Sequence, residues 1–336
     1  MSIADALGRV LASDVASRIT QPPASVSAMD GYAVRSDDVT AVPVKLTQIG
    51  EASAGSGFIG VIGRGETVRI FTGAPLPDGA DSVVIQEDTS NDGIQITVHE
   101  MSQSGRHVRP KGLDFSKEEV LLKAGTRLNS RHIALVSAMN VPWVTVRQKP
   151  RVAILSNGNE LVLPGEPIGP DQIISSNNLG LIAFVAAAGG IGINLGIAKD
   201  DPNSIRHMIK GVEGADMLVT IGGASVGDYD LIKSVLSDEG LDISFSRVAM
   251  RPGKPLIFGK IFEKPVLGLP GNLVSAGVTA TLFLKPAIDL MLGRVKGKEL
   301  QETAKLGRDL EKNDRRQDYL RSSLSLDDNG ELVATP

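Results

Sequence analysis

The stretch VTIGGASVGDYD, residues 219–230, sets Gly222, Gly223, Ser225 and Gly227 between an apolar run and two acids, Asp228 and Asp230. Gly223 to Gly227 matches G-x-S-x-G, the pattern that presents a nucleophilic serine on a sharp strand-to-helix turn. That chemistry needs a base, and in the hydrolase order the histidine follows the serine. His99, His107, His132 and His207 all precede Ser225, so no downstream imidazole exists to activate it. The other reading is a cradle. Glycines after a strand let backbone N–H groups approach an anion, and the next helix adds its positive end. Asp228 and Asp230 would repel a bare phosphate but suit one that carries Mg²⁺. A plain turn with capping aspartates fits the loop, taken alone, equally well.

Two further stretches favour an anion. RVAMRPGKPLIFGK brings Arg247, Arg251 and Lys254 within eight residues of an otherwise acidic chain, stiffened by Pro252 and Pro255. Charge-assisted hydrogen bonds from such a cluster contribute about 1.5–3 kcal/mol each. GLPGN, residues 268–272 with Pro270 at its centre, opens a long apolar segment and offers another helix start. There is no Walker A pattern, no HExxH and no cysteine, so a metal would be a hard cation on carboxylates. The candidates are Asp30, Asp114, Glu160, Asp200 and Asp230, whose sequence spacing does not tell whether they converge.

The elements that must position these residues change character near residue 150. From Arg151, apolar runs RVAIL, IGINLGIA, DMLVTI, PLIFGKI and PVLGL alternate with helical patterns SNNLGLIAFVAAAGG, PNSIRHMIKGV and YDLIKSVLSDEG. The alternation predicts an α/β domain, a doubly wound and mostly parallel sheet whose ligand sits at the carboxyl ends of the strands. The first 150 residues carry short alternating runs, VPVKLTQIG, ETVRIF, DSVVIQED and IQITVHE, punctuated by PLPDGAD and SNDG turns, which predicts an inserted β-rich module. SIADALGRVLASDV predicts an N-terminal amphipathic helix with Ile3, Leu7, Val10 and Leu11 on one face and Ser2 as cap; SRHIALVSAMN predicts a helix capped by Ser130.

With 336 residues, 42% of them hydrophobic, the chain can build about two domains with additions. A net charge of −4 gives no electrostatic case for nucleic-acid binding. Absence of cysteine excludes disulfides and fits a cytoplasmic setting. The apolar segment 273–292 is interrupted by Lys285, Pro286 and Asp289, so it predicts a buried core helix rather than a membrane span.

Taken together, SAMDGYAVR (27–35), IFTGAPLPDGADSVVIQED (70–88), GRHVRPKGLDF (105–115), SNGNELV (156–162), DDP (200–202), GGASVGDYD (222–230), RPGKPLIFGK (251–260) and GLPGNLVSA (268–276) resemble, in colinear order, the molybdopterin molybdenumtransferases of MoeA and gephyrin E-domain type. The resemblance implies a linker region of helix and strands (1–26 and 110–148), an inserted β-rich domain (27–109), an α/β pterin-nucleotide domain (149–294) and a partial C-terminal β-barrel (295–336), with the chain truncated at both ends relative to the family. It implies a homodimer that uses Mg²⁺ to convert adenylylated molybdopterin and molybdate into molybdenum cofactor and AMP. The pterin adenylyltransferase is then a candidate partner.

By the same resemblance Asp200 and Asp230 bind or orient Mg²⁺ and the pyrophosphate, and Glu160 stands near the reacting centre. Asp30, Thr72 and Asp114 come from the other side of the dimer's cleft. Gly222, Gly223, Ser225, Gly227 and Pro270 belong to the nucleotide cradle. Arg251, Lys254 and Ser275 line a molybdate pocket with Arg247 nearby, and Arg321 reaches in from the C-terminal domain. The chain departs from the family at Leu273, where proline is common, at Arg247 and Arg251, which replace lysines, and at Asn159, which replaces an aspartate. Alternative functions are the related pterin adenylyltransferase and a non-catalytic scaffold member.

Overall fold

The computed structural model describes residues 1–222, 231–294, 302–311 and 314–336. Two compact units emerge. One comprises Met1–Leu7, Ser13–Ala124 and Leu128–Thr145; the other comprises Gly8–Ala12, Gly125–Arg127 and Val146–Pro336.

The first unit is built on a six-stranded sheet of β1 (Gly31–Val34), β2 (Val44–Ala52), β3 (Glu66–Ile70), β4 (Ser82–Ile85), β5 (Thr89–Asp92) and β6 (Gln95–Val98), in the order β4-β1-β3-β2-β6-β5. The alternation of side chains sorts its residues into two clusters. Tyr32, Val34, Leu46 and Ile96 pack in one, and Ala33, Ala52, Val68 and Ile70 in the other. The SNDG segment does not simply turn: Thr89–Asp92 pairs with Gln95–Val98, and Gly93, at φ 73°, makes the bend with Ile94.

The N-terminal amphipathic helix does not form. Only Ile3–Asp5 makes a single 3₁₀ turn, with Ser2 Oγ accepting from Ala4 N. Gly8 enters the left-handed region at φ 75° and ends it. Val10 and Leu11 are then buried in extended bridges to Arg127 and Val146, so their helical spacing was coincidental. The helix α1 (Ser130–Ala138) begins one residue away from expectation. Asn129, not Ser130, is its cap, accepting from His132 N at 2.9 Å while His132 Nδ1 accepts from Asn129 N.

The second unit contains β7 (Arg151–Asn157), α2 (Ser176–Ala188), β8 (Ile191–Ala198), α3 (Pro202–Ile209), β9 (Met217–Ile221), α4 (Leu231–Asp238), β10 (Asp242–Arg247), β11 (Pro255–Ile261) and β12 (Lys264–Leu269). Its sheet runs β8-β7-β9-β12-β11-β10. The first four strands are parallel to their neighbours, whereas β11 and β10 are antiparallel, so the sheet is mixed. Strand β10 carries no continuous apolar run, which hid it from the sequence pattern.

Period-two alternation again assigns faces. Val152, Ile154, Met217 and Val219 meet Leu181 and Val185 of α2, and Ala153, Leu155 and Leu218 meet Ile205 of α3 and Ile232 and Val235 of α4. Each fully buried valine, leucine, isoleucine or methionine side chain among these contributes about 1.5–3 kcal/mol. The hairpin from β11 to β12 turns through Phe262 and Glu263, both left-handed at φ 49° and 61°. After β12 the chain enters α5 (Leu273–Thr279), a π-helical turn over Ala280–Leu284 and α6 (Lys285–Met291).

By length and composition this last segment, with a mean hydropathy of 1.4, could cross a membrane. It is a core helix: Ala280, Leu284 and Ile288 are buried against the sheet. Beyond it, Gln317–Asp318 pairs with Met250–Arg251, and β13 (Ser323–Leu326) and β14 (Leu332–Thr335) form a small sheet with Lys305–Leu306.

Candidate functional site

Parallel register sets the site. β7 and β8 pair from Arg151↔Ile191 to Asn157↔Ala198, and β9 lies on the other side of β7 with Ser156↔Ile221. The carboxyl ends of three strands therefore stop level, and the turns that follow them share one edge of the sheet.

Asn157, at the end of β7, donates through Nδ2 to Asp200 Oδ1 at 2.7 Å. Asn159 N donates to Asp200 Oδ2 at 3.1 Å, and Asp200 N returns a bond to Asn159 Oδ1 at 3.2 Å. Asp200 is thus fixed as an acceptor. Its neighbour Asp201 instead caps α3, with Oδ2 accepting from Ser204 N at 2.7 Å.

Glu160, on the same turn as Asn159, lines a cavity of about 380 Å³ with Ser156, Asn157, Asn177, Gly222 and Gly271. Gly222 has φ +89°, and a Cβ there would lie 3.2 Å from the Asn157 carbonyl oxygen. Only glycine suits that backbone. On the far wall Asn177 Nδ2 donates to Gly271 O at 2.6 Å, holding the GLPGN turn against α2. Pro270 is buried in that turn. Asn272 caps α5, its Oδ1 accepting from Val274 N at 3.0 Å and Ser275 N at 3.2 Å. Ser275 thus stands in the first turn of that helix.

Leu273, 61% exposed, lines this cavity and also a second hollow of about 660 Å³. The second hollow lies between the α5 face carrying Val274 and Gly277 and the segment bearing Asp318, Tyr319 and Arg321. Arg251 is tied to its rim: Nε donates to Asp318 Oδ1 at 3.0 Å and Nη2 to Oδ2 at 2.7 Å. The Asp318 carboxylate raises the Arg251 pKa above its ordinary value. Arg247, the last residue of β10, and Lys254, just before β11, are exposed, and Val248 N closes the loop between them onto Lys254 O at 3.0 Å; neither lines either hollow.

In the first unit, Asp30 Oδ1 accepts from Thr72 N and from Thr72 Oγ1, both at 2.7 Å. The backbone N–H of Thr72 foremost, then its hydroxyl, lowers the Asp30 pKa. Asp114 is paired instead with Arg109 at 3.1 Å.

Gly223, Ser225, Gly227 and Asp230 lie outside the described residues. Among the described residues no group of three or more His, Cys, Asp or Glu side chains could enclose a metal ion. Sequence reasoning missed Asn157, Asn177 and Asn272, all of which orient the site, and Asp318. The signal for Asn157 was present in SNGNE, where two asparagines flank a turn before an acid.

Comparison with known proteins agrees in extent. A family described as MoeA N-terminal region (domain I and II) matches residues 1–140, and one described as probable molybdopterin binding domain matches residues 153–290. The chain is 39% identical over 330 residues to a molybdopterin molybdenumtransferase of Nostoc sp., covering 96% of this chain and 76% of that protein. It is 32% identical to the Bacillus subtilis molybdopterin molybdenumtransferase, covering 100% and 80%. The crystal structure of a molybdopterin biosynthesis MoeA protein from Pyrococcus horikoshii superposes with a TM-score of 0.85 at 36% identity, covering 100% of this chain and 84% of that one.

Proposed function

The chain belongs to the molybdopterin molybdenumtransferase family, enzymes of molybdenum cofactor biosynthesis, and from that premise we propose that it inserts molybdate into adenylylated molybdopterin with Mg²⁺-dependent release of AMP. The observation that supports this reading most is the carboxyl edge of the sheet, where Glu160, Gly222 and Gly271 line one cavity and Asp200 is bonded to Asn157 of its wall. Glycine turns there leave room for an anionic nucleotide, and carboxylates supply hard oxygen ligands.

The donor set suits Mg²⁺, which takes one or two carboxylates and leaves its remaining positions to water and substrate phosphate. Asp200 would hold it, with Asp230 as the second proposed ligand. When bound, Mg²⁺ offsets charge on the pyrophosphate as it is cleaved. The chain's own residues orient the reactants. Asn157 and Asn159 fix the Asp200 carboxylate, and Glu160 faces the cavity where the pterin nucleotide lies. Arg251, Lys254, Ser275 and Arg321 bind molybdate, whose charge requires cationic donors. The dithiolene sulfurs that receive the metal belong to the substrate, which explains how a chain without cysteine performs the insertion. The protein works in the cytoplasm as a homodimer, with Asp30, Thr72 and Asp114 serving the same reaction.

The test is AMP release from adenylylated molybdopterin with molybdate and Mg²⁺. Asp200→Asn keeps the shape but removes the charge, and is expected to lower the rate at least tenfold while circular dichroism stays unchanged. Full activity in that variant would remove Asp200 from the site.

A further inference from the structure

Arg251 is one of the cations assigned above to the oxyanion, yet its guanidinium is already occupied. The two parallel bonds to Asp318, at 3.0 and 2.7 Å, use the fork that arginine presents to carboxylate or tetrahedral oxyanion alike. Asp318 is no loose surface acid, since its side chain is 17% exposed. Backbone bonds hold its strand on both sides: Gln317 N donates to Ala249 O and Tyr319 N to Arg251 O, each at 2.8 Å. The carboxylate can therefore swing off the guanidinium by side-chain rotation while the strand stays in place. Asp318 and Arg321 line the same hollow, so a displacing anion would find a second guanidinium within it.

We propose that Asp318 is a built-in counter-anion that sets the specificity of the oxyanion pocket, holding Arg251 until a doubly charged oxyanion takes its place. Exchange of one single charge for another gains nothing by Coulomb attraction, whereas a dianion doubles it. Chloride and nitrate are thereby kept off Arg251, and molybdate is admitted. Asp318 acts through Arg251 and is a positioning residue. The inference rests on the placing of Arg251 in the molybdate pocket.

Equilibrium dialysis of the full chain against molybdate alone, with nitrate as competitor, tests it. Asp318→Asn is expected to bind molybdate about two- to fivefold more tightly, the range of an exposed ion pair, and to become sensitive to nitrate. Asp318→Glu is expected to restore both properties, which a merely structural role would not do. Unchanged or weaker molybdate binding in Asp318→Asn overturns the inference. So does nitrate competition in the unmodified chain, whether or not the variants fold. Arg251→Gln separates the two levels: if it binds molybdate as well as the unmodified chain does, the proposed pocket itself is wrong. If Arg251→Gln weakens binding while Asp318→Asn changes nothing, only the role of Asp318 falls. If neither the unmodified chain nor Asp318→Asn retains molybdate, both fail.

Discussion

Gly222→Ala tests whether the carboxyl edge of the sheet works as one assembly. At φ +89° an L-residue pays a left-handed penalty of about 1–2 kcal/mol. The new methyl would also stand 3.2 Å from Asn157 O and 3.5 Å from Asn157 Oδ1. These belong to a residue whose Nδ2 bond holds Asp200, so relief of the clash moves the acid. Gly240 is the control. Its φ is +92°, but a Cβ there meets nothing within 4 Å, so Gly240→Ala carries the backbone cost alone. For a unit of this size 1 kcal/mol shifts Tm by about 2–4 °C. Gly240→Ala is therefore expected to lower Tm by about 2–8 °C and leave AMP release intact. Gly222→Ala is expected to lower it by a few degrees more and to cut AMP release at least tenfold. Scanning calorimetry and the AMP assay read both. If the two variants match in stability and activity, the contact with Asn157 is irrelevant and the reasoning fails.

Asn272→Ala removes the cap of α5 and should cost about 0.5–2 kcal/mol, seen as a lower urea midpoint, whereas Asn272→Asp should recover most of it. In the first unit the Asp30 pKa is lowered in the folded state, so its bonds to Thr72 stabilise above the unfolded carboxyl value near 3.8 and are lost as pH falls through the lower folded value. Thr72→Val deletes the hydroxyl but keeps the larger backbone N–H contribution. An NMR titration should then find the Asp30 pKa raised part of the way toward its ordinary value, and an unmoved pKa would contradict the geometry.

What the sequence disclosed depended on whether a residue's role was local. Strands β7 and β9 of the second unit were legible because Val152, Ile154, Met217 and Leu218 are apolar on both faces of a covered sheet. Helix α3 was legible because Asp201 and Pro202 announce its start. The false N-terminal helix arose where Val10 and Leu11 satisfied a helical period for tertiary reasons. Strand β10 was missed because its pattern DISFSR is largely exposed. Among the site residues, Glu160 and Asp200 stood out as loop acids, but 40 residues separate them, and only the parallel pairing of β7 with β8 makes them neighbours. The grip of Asp318 on Arg251 spans 67 residues and has no local signature at all.

The hairpin between β11 and β12 lies at the end of the sheet opposite the proposed site, because β12 runs from that turn toward the GLPGN loop. Phe262 and Glu263 occupy the left-handed geometry that Asn-Gly adopts with least cost. That turn gives a protein engineer a place to harden the scaffold, or to attach a dye, without disturbing the end where substrate is proposed to bind.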